Sequence, residues 1–173
     1  MPPIPMCLCF LLRATPDGRT EVLLGRKQGG MGTGKVVGPG GHVEPGEDPR
    51  AAAVREVEEE TGLIVDPASA SRRASVGHRF PTRPSWDQRV DVFVATRWHG
   101  EMAPSQELTP VWYPVDGVPY EQMWNDAREW LPHVLAGQRI EAEFEFAADC
   151  ETITAARITP APAAQAAQLA WPF

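Results

Sequence analysis

Residues 41–63, GHVEPGEDPRAAAVREVEEETGL, constrain this chain more than any other segment. The segment contains a helix-sized run with four glutamates in five positions, Glu56 and residues 58–60. At 3.6 residues per turn, Glu56, Glu59 and Glu60 fall on one helix face, where like charges repel one another. A bare run of this kind is more typical of a solvent-exposed acidic face than of a cation site. The flanking residues decide between these two interpretations.

Those flanking residues indicate a helix with defined ends beside a loop that can approach a ligand. Asp48 is predicted to cap the helix at its N-terminus, with Pro49 at the first helical position and Gly62 just past the C-terminus. Residues 38–41, Gly-Pro-Gly-Gly, predict a tight turn whose backbone can lie close to a ligand. A hard cation such as Mg²⁺, which prefers oxygen ligands, would relieve the repulsion between the glutamates.

The order of residues in this segment carries a family resemblance. It reads Gly41, five residues, Glu47, seven residues, and then Arg55-Glu56-Val57-x-Glu59-Glu60-x-Gly62-Leu63. This pattern resembles the Nudix box at every defining position. The resemblance implies an α/β protein with the Nudix fold, an α/β/α sandwich around a mixed β-sheet. It also implies hydrolysis of a nucleoside diphosphate that is linked to another group.

The resemblance implies metal ligands and catalytic residues as well. Glu56 and Glu60 are the best-placed pair to hold Mg²⁺, with Mn²⁺ as an alternative, and the carbonyl of Gly40 is expected to be a further ligand. Glu59 is expected to share the metal site or to polarise water as the general base. The sequence does not settle which glutamate takes the proton. The remaining catalytic residues, which are expected to orient the carboxylates, are Arg55 and Glu47.

Outside the box, the chain resembles the MutT-type oxidised-purine triphosphatases. Residues 23–27, Leu-Leu-Gly-Arg-Lys, and the glycines after them are similar to the segment that precedes the box in those enzymes. Residues 106–112 are similar to the segment that holds an additional metal-binding glutamate, which would be Glu107. Residues 118–126 resemble the proline, aromatic, Met-Trp and Asp sequence of the animal 8-oxo-dGTP hydrolases.

The same resemblance implies three substrate contacts, each with a simpler alternative. Trp124 would be a platform on which a purine stacks, or else a core residue. Asp126 would bind the edge of the base, and could donate a hydrogen bond if burial raised its pKa, or else be an exposed helix residue. Lys27 would reach a phosphate or the sugar, or else be a surface lysine.

Three residues depart from the MutT-type pattern. Val37 stands where those enzymes have a base-binding Asn, Ala127 where they have a second Asp, and Met31 where they have a Phe. We therefore expect Val37 to lie at the base without the hydrogen bonds of an amide, so that base selection is weaker or comes from elsewhere. His42 and His78 are candidates for phosphate contacts, although a lone histidine near a loop is more often structural.

Composition is that of one small enzyme domain. The chain has 173 residues, 43% hydrophobic and 23% charged. We predict one domain over residues 1–159 and an Ala- and Pro-rich tail over residues 160–173. The net charge of −7 disfavours a nucleic acid polymer as partner, but not a nucleotide. Three cysteines without zinc-ligand spacing, and the lack of a long apolar run, predict a cytoplasmic protein without a membrane partner. The oligomeric state cannot be inferred.

Hydrophobic periodicity predicts an alternating α/β layout. A loop is predicted over residues 28–34, and a second helix over residues 120–135 with Trp124 and Leu131 on its apolar side. The predicted strands are residues 6–12, 21–25, 73–80, 89–96, 111–115, 140–146 and 153–158.

These predictions combine into one function. We expect a Mg²⁺-dependent Nudix hydrolase that converts a nucleoside triphosphate, with oxidised purines such as 8-oxo-dGTP as the leading candidates, into a nucleoside monophosphate and pyrophosphate. One alternative is a hydrolase of ADP-ribose or a nucleotide sugar. Another is a non-catalytic Nudix module that only binds nucleotide, which the intact glutamates Glu56, Glu59 and Glu60 disfavour.

Overall fold

A computed structural model of the chain describes residues 1–162. Short 3₁₀ turns lie at Pro67–Ser69, Pro84–Trp86, Val115–Gly117 and Tyr120–Gln122. The helices are α1 (Pro49–Thr61) and α2 (Ala127–Leu135). The strands are β1 (Ile4–Ala14), β2 (Thr20–Lys27), β3 (Val36–Val37), β4 (Gly40–His42), β5 (Ile64–Val65), β6 (Ser71–Arg79), β7 (Gln88–Ala95), β8 (Trp98–His99), β9 (Leu108–Pro114), β10 (Ile140–Phe146) and β11 (Ile153–Pro160).

The long strand β1 organises the main sheet. The sheet has the order β11-β10-β6-β7-β1-β2-β3, with β4 also paired to β1 and β9 also paired to β2. Along one edge β1 runs parallel to β7. Along the other edge it pairs antiparallel first with β4, at Met6 to Leu8, and then with β2, at Leu12 to Ala14. The turn between β3 and β4 therefore lies where β1 changes partner.

Alternation along β1 sends side chains into two separate cores. Cys9 and Leu11 lie in a core with Val57 of α1. Phe10 and Leu12 lie in a core with Leu131 of α2, on the opposite face of the sheet. The predicted α/β/α sandwich around a mixed β-sheet is confirmed.

Local sequence explains both ends of α1. The side chain of Asp48 accepts hydrogen bonds from the backbone N–H groups of Arg50 (3.0 Å) and Ala51 (3.1 Å). Gly62 ends the helix in the left-handed conformation with φ of +74°, and its N–H donates to the carbonyl of Glu58. The predicted caps of this helix are confirmed.

The predicted helix over residues 120–135 is wrong in its first half. Tyr120–Gln122 forms a 3₁₀ turn, Met123 is extended with ψ of 177°, and α2 begins only at Ala127. The extended Met123 interrupts helical hydrogen bonding between the turn and α2, so the apolar spacing does not produce one continuous helix. Trp124 consequently lies in the turn before α2 rather than on its apolar face.

The end of the described chain continues the sheet. β11 pairs antiparallel with β10 up to Pro160, and the N–H of Ala161 donates to the carbonyl of Arg139 at 2.9 Å. Most of the tail predicted over residues 160–173 lies outside the described residues. No helix within residues 1–162 is long and apolar enough to cross a membrane.

Candidate functional site

Arg55 connects the acidic side chains around the middle of α1. Its Nε and Nη2 donate to the two carboxylate oxygens of Glu47 at 2.9 and 3.0 Å. Its Nη1 donates to Glu56 at 2.9 Å and to Glu59 at 3.2 Å, and Nη2 also donates to the carbonyl of His42 at 3.1 Å. Bonding to Glu47 raises the pKa of Arg55, and the same bonds lower the pKa of Glu47. The carboxylate cluster comprises Glu47, Arg55, Glu56, Glu59 and Glu60.

Glu56 and Glu60 concentrate negative charge in a buried place. Their exposed fractions are 9% and 6%. Burial raises both pKa values, that of Glu60 to about 7, and the charge of Glu56 adds to the rise at Glu60. Arg55 opposes the rise in pKa at Glu56, and the N–H of Gly40 and the charge of Lys27 oppose it at Glu60. A further cation at this place would lower both pKa values.

The turn before α1 presents backbone groups to this cluster. The N–H of Gly40 donates to Glu60 Oε2 at 2.9 Å. The ladder between β1 and β4 uses the carbonyl of Pro39 and the N–H of Val43, so the peptide groups of Gly40 between them point away from β1. Because the N–H and C=O of one strand residue point the same way, the Gly40 carbonyl is also directed toward the side of the glutamates.

Neither glycine of this turn leaves room for a side chain. A Cβ on Gly40 would collide with the carbonyl oxygen of Cys7 in β1. A Cβ on Gly41 would lie 2.6 Å from Cδ of Glu56. Both positions therefore require glycine, and the carboxylate of Glu56 packs directly on backbone, as expected from the Gly-Pro-Gly-Gly sequence.

Glu59 and Glu107 lie at the outer side of the cluster. The side chain of Glu59 is 59% exposed, and Glu107 is exposed as well. The charge of Glu107 contributes to the raised pKa values of Glu56 and Glu60. As the side chains stand, no three His, Cys, Asp or Glu residues within residues 1–162 converge closely enough to hold a metal ion. The structure thus brings Glu107 within electrostatic reach of the glutamates of α1, but not to a shared coordination point.

The glycine-rich loop, residues 28–34, connects this cluster with Trp124. Lys27 ends β2 immediately before the loop, and its charge acts on the carboxylate cluster. A Cβ on Gly32, which has φ of +83°, would lie 2.7 Å from Cζ2 of Trp124. Nζ of Lys35 lies 4.7 Å from the centroid of the same indole, a cation–π contact. The half-buried Trp124 is therefore in contact with the loop.

Arg26 fixes the loop to the turn that precedes Trp124. Its Nη1 donates to the carbonyl of Gly34 at 2.7 Å, and its Nη2 donates to Gln122 Oε1 at 2.6 Å. Val37 follows the loop in β3 and is half-buried, whereas Met31 at the tip of the loop is 46% exposed. Of these two departures from the MutT-type pattern, only Val37 belongs to the sheet.

Asp126 is buried, with an exposed fraction of 4%. Its Oδ2 is 2.8 Å from His78 Nε2 and accepts a hydrogen bond from Trp130 Nε1, also at 2.8 Å. Burial alone would raise the pKa of Asp126, but the hydrogen bond and charge of His78, with the bond from Trp130, lower it below the ordinary value. Asp126 is neither an exposed helix residue nor a carboxyl that burial keeps protonated. It is an ionised acceptor.

The sequence indicated His78 only as a candidate phosphate contact and did not indicate Trp130, and neither was expected to bond to Asp126. His78 lies in β6, 48 residues before Asp126, so no local motif joins the two. Alternation within β6 does contain a signal, because it puts His78 on the same face as the core residue Val76. A polar side chain that faces a core needs a buried partner.

Comparison with known proteins identifies the family. Residues 8–134 match the NUDIX domain. The chain belongs to the Nudix family. It is 38% identical over 139 residues to the oxidized purine nucleoside triphosphate hydrolase of Danio rerio, covering 80% of this chain and 86% of that protein. It is 35% identical over 126 residues to the protein of the same name from Mus musculus, covering 73% and 79%.

The fold agrees with this membership. The crystal structure of the mutator MutT protein from Bacillus halodurans superposes on this Nudix chain with a TM-score of 0.75 and 25% identity, covering 92% of this chain and 99% of that one. The MutT-type subgroup expected from the sequence is therefore confirmed, and the chain is a Nudix hydrolase.

Proposed function

We propose that this Nudix hydrolase cleaves purine nucleoside triphosphates, with oxidised forms such as 8-oxo-dGTP preferred, to a nucleoside monophosphate and pyrophosphate. The observation that carries the proposal is that one short segment, Lys27 and residues 28–34, connects the carboxylate cluster with Trp124. Lys27 acts on the carboxylate cluster, and the loop of residues 28–34 that follows it contacts Trp124. A nucleoside triphosphate needs a polar region for its phosphates and an aromatic surface for its base at the two ends of one binding site. The names of the relatives from Danio rerio and Mus musculus agree with this substrate class.

The carboxylate cluster suits Mg²⁺, or Mn²⁺ in its place. Glu56 and Glu60 are buried together with raised pKa values, and a divalent cation would offset their charge. The available donors are all oxygen atoms, which hard cations prefer. When bound, the ion would neutralise charge on the phosphates and lower the pKa of a bound water. The residues proposed to hold it are Gly40, through its carbonyl, and Glu56, Glu59, Glu60 and Glu107.

The side chains around the ion supply orientation and proton transfer. Arg55 holds Glu47, Glu56 and Glu59 in one hydrogen-bonded arrangement, so their geometry is set before substrate arrives. Glu59 is the more exposed candidate to take a proton from the attacking water. Glu60, with a pKa of about 7, is the other candidate.

The base is proposed to bind at the turn before α2. Trp124 offers an indole face for stacking, which is worth about 1–3 kcal/mol per base. Lys35 now lies over that indole and would be displaced by the base. Asp126 presents an acceptor to the base edge, Val37 contributes apolar contact, and Lys27 reaches a phosphate or the sugar.

Product analysis tests the proposal. The wild-type protein is incubated with Mg²⁺ and, separately, with 8-oxo-dGTP, dGTP, dATP and ADP-ribose, and the products are resolved by ion-exchange chromatography. We expect 8-oxo-dGTP to react fastest, with monophosphate and pyrophosphate in equal amounts. Diphosphate with inorganic phosphate would contradict the cleavage position. Turnover of ADP-ribose alone would identify a hydrolase of other nucleoside diphosphate derivatives, and binding without turnover would identify a non-catalytic module.

Matched variants connect that activity to the cluster. Glu56→Gln and Glu59→Gln are expected to lose most of the activity, because each removes a charged oxygen from the place where the ion and water are proposed to bind. Glu58→Gln is the control, since Glu58 belongs to the same acidic run but is exposed. Equal activity in all three variants would show that hydrolysis does not depend on this cluster.

A further inference from the structure

His78 and Asp126 form a hydrogen-bonded pair that bears on base selection and has no part in the proposed hydrolysis step. The imidazole of His78 is held between β10 and the turn before α2. Its ring stacks near Phe144 and Phe146, with centroid distances of 6.2 and 6.0 Å. The side chains of His78 and Asp126 are only 13% and 6% exposed. Because the ring is packed in this way, the direction of the hydrogen bond between His78 Nε2 and Asp126 is fixed.

The hydrogen bonds divide the two oxygens of Asp126 between different tasks. Oδ2 is within hydrogen-bond distance of both His78 Nε2 and Trp130 Nε1, and these two donors use the accepting capacity of that oxygen. Because an ionised carboxylate has no proton, His78 must be the donor at Nε2. Neither of these side chains donates to Oδ1 of Asp126, and a ligand that binds to Oδ1 must bring a hydrogen of its own.

The second ring nitrogen of His78 is in an unfavourable environment. Within residues 1–162 its second ring nitrogen, Nδ1, is buried and has no hydrogen-bond partner. A buried polar atom without a partner is unfavourable, so a histidine at this place is not explained by packing alone. Among the described residues, the hydrogen bond of the His78 side chain goes to Asp126, and this contact lowers the pKa of that carboxylate.

Purines differ in what they offer such an acceptor. A guanine-type base has a ring N–H beside an amino group, so two donors are adjacent on one edge. An adenine-type base has an amino group beside a ring nitrogen that carries a lone pair. A lone pair facing the ionised Asp126 is repelled, whereas a ring N–H forms a charge-assisted hydrogen bond.

We propose that His78 is a positioning residue that makes this site select guanine-type over adenine-type bases, by holding Asp126 as an oriented acceptor. This inference rests on the proposed function, because it requires a purine at Asp126. It adds a specificity determinant in β6 to the contacts expected from the turn before α2.

The test compares two substrates that differ only in that edge, 8-oxo-dGTP and 8-oxo-dATP. In the wild type we expect kcat/KM to favour 8-oxo-dGTP by about tenfold or more, the scale of one good base contact. In His78→Phe, which cannot donate to Asp126, we expect this ratio to fall by about tenfold, mainly through KM. The control is His133→Phe, since His133 is a hydrogen-bonded histidine near the other end of α2. It should leave the ratio unchanged.

Two amide variants keep the test decisive if His78→Phe fails to fold. His78→Gln can place an N–H near the position of Nε2 and should retain most of the preference, whereas the shorter His78→Asn cannot reach Asp126 and should lose it. A purely structural role for His78 would change activity toward both substrates equally. Equal ratios in the wild type, His78→Gln and His78→Asn would overturn the inference.

Binding separates this inference from the proposed function. The affinities of 8-oxo-dGMP and 8-oxo-dAMP are measured by calorimetry for the wild type and for the His78 variants, which needs no hydrolysis. If no triphosphate is hydrolysed but the wild type prefers 8-oxo-dGMP and His78→Asn does not, the proposed reaction fails and the role of His78 stands. If hydrolysis occurs but no variant changes the preference, the reaction stands and the role of His78 is wrong.

Discussion

The carboxylate cluster and the pair of His78 and Asp126 both bury charge, but by opposite means. In the cluster, burial raises the pKa values of Glu56 and Glu60, so the acidic groups lack sufficient positive charge. At Asp126, two buried donors more than offset burial and lower the pKa. The first region would be stabilised by a further cation, whereas at the second region the charge of Asp126 already has hydrogen-bond donors from the protein, and we propose that this carboxylate accepts a hydrogen bond from the base.

The two regions also differ in how they are assembled. All of the cluster comes from residues 41–63, and its central residue Arg55 bonds to partners no more than 13 positions away. Asp126 depends on His78 across 48 positions, and the contact of Trp124 with Gly32 spans almost twice that distance along the chain. Substitutions in the cluster should therefore change the rate for every substrate, whereas substitutions at Asp126 should change stability and base choice.

The largest expected effect is in the cluster, for Arg55→Lys. The charge is kept, but one ammonium cannot bridge Glu47, Glu56 and Glu59 as the guanidinium does. We expect kcat to fall roughly a thousandfold, with the ratio of 8-oxo-dGTP to 8-oxo-dATP turnover unchanged. Steady-state kinetics measure both quantities, with Arg50→Lys on the exposed side of α1 as control. A change in that ratio would show that the two regions are not independent.

Removal of the carboxylate at the other region should mainly reduce stability. Asp126→Ala leaves the buried donors of His78 and Trp130 without their acceptor. We expect a loss of about 3 kcal/mol in the free energy of unfolding, from the cost of two unsatisfied buried donors. Urea denaturation at pH 7 measures this loss. A loss comparable to that of an exposed substitution such as Glu129→Ala would contradict the satisfied state of this carboxylate.

In the carboxylate cluster, removal of a buried carboxylate should increase stability when metal is absent. The folded-state pKa of Glu60, about 7, lies above the ordinary 4.5, so its stabilising contribution is complete below pH 4.5 and lost as the pH rises through 7. In EDTA at pH 8, Glu60→Gln is therefore expected to be more stable than the wild type by about 3 kcal/mol, since the pKa is raised by about 2.5 units and one unit is worth about 1.4 kcal/mol. At pH 4.5 the difference should vanish.

Thermal unfolding in EDTA at the two pH values measures this difference, and Mg²⁺ should raise the melting temperature of the wild type more than that of the variant. A variant that is less stable than the wild type at pH 8 would mean that the cluster is satisfied without a cation.

The smallest expected effect concerns the loop that joins the two regions. Gly32 and Gly34 both have positive φ, +83° and +86°, so alanine is strained at either position. Only a Cβ on Gly32 meets Trp124, whereas no described atom lies within 4 Å of a Cβ on Gly34. Gly32→Ala should therefore be about 1 kcal/mol less stable than Gly34→Ala, and should raise KM more. Equal stability and equal KM in the two variants would show that Trp124 does not depend on the loop.

The same contrast explains what could be predicted from sequence. The caps of α1 and the face of Glu56, Glu59 and Glu60 follow from neighbours within two helical turns, and these local rules held. The helix predicted over residues 120–135 failed because apolar spacing does not register the extended Met123. His78 was not identified as the partner of Asp126 because strand pairing brings them together.

The alternation of peptide groups along β4 restricts how this chain can change length. Every second residue of the turn and strand bonds to β1, at Pro39 and Val43, and Gly40 between them faces Glu60 instead. Insertion of a single residue before Gly40 would reverse which peptide groups face β1 and which face the glutamates. Strand pairing would survive, but the hydrogen bond from Gly40 to Glu60 would be lost. An alignment of functional relatives should therefore contain no gaps at residues 38–42.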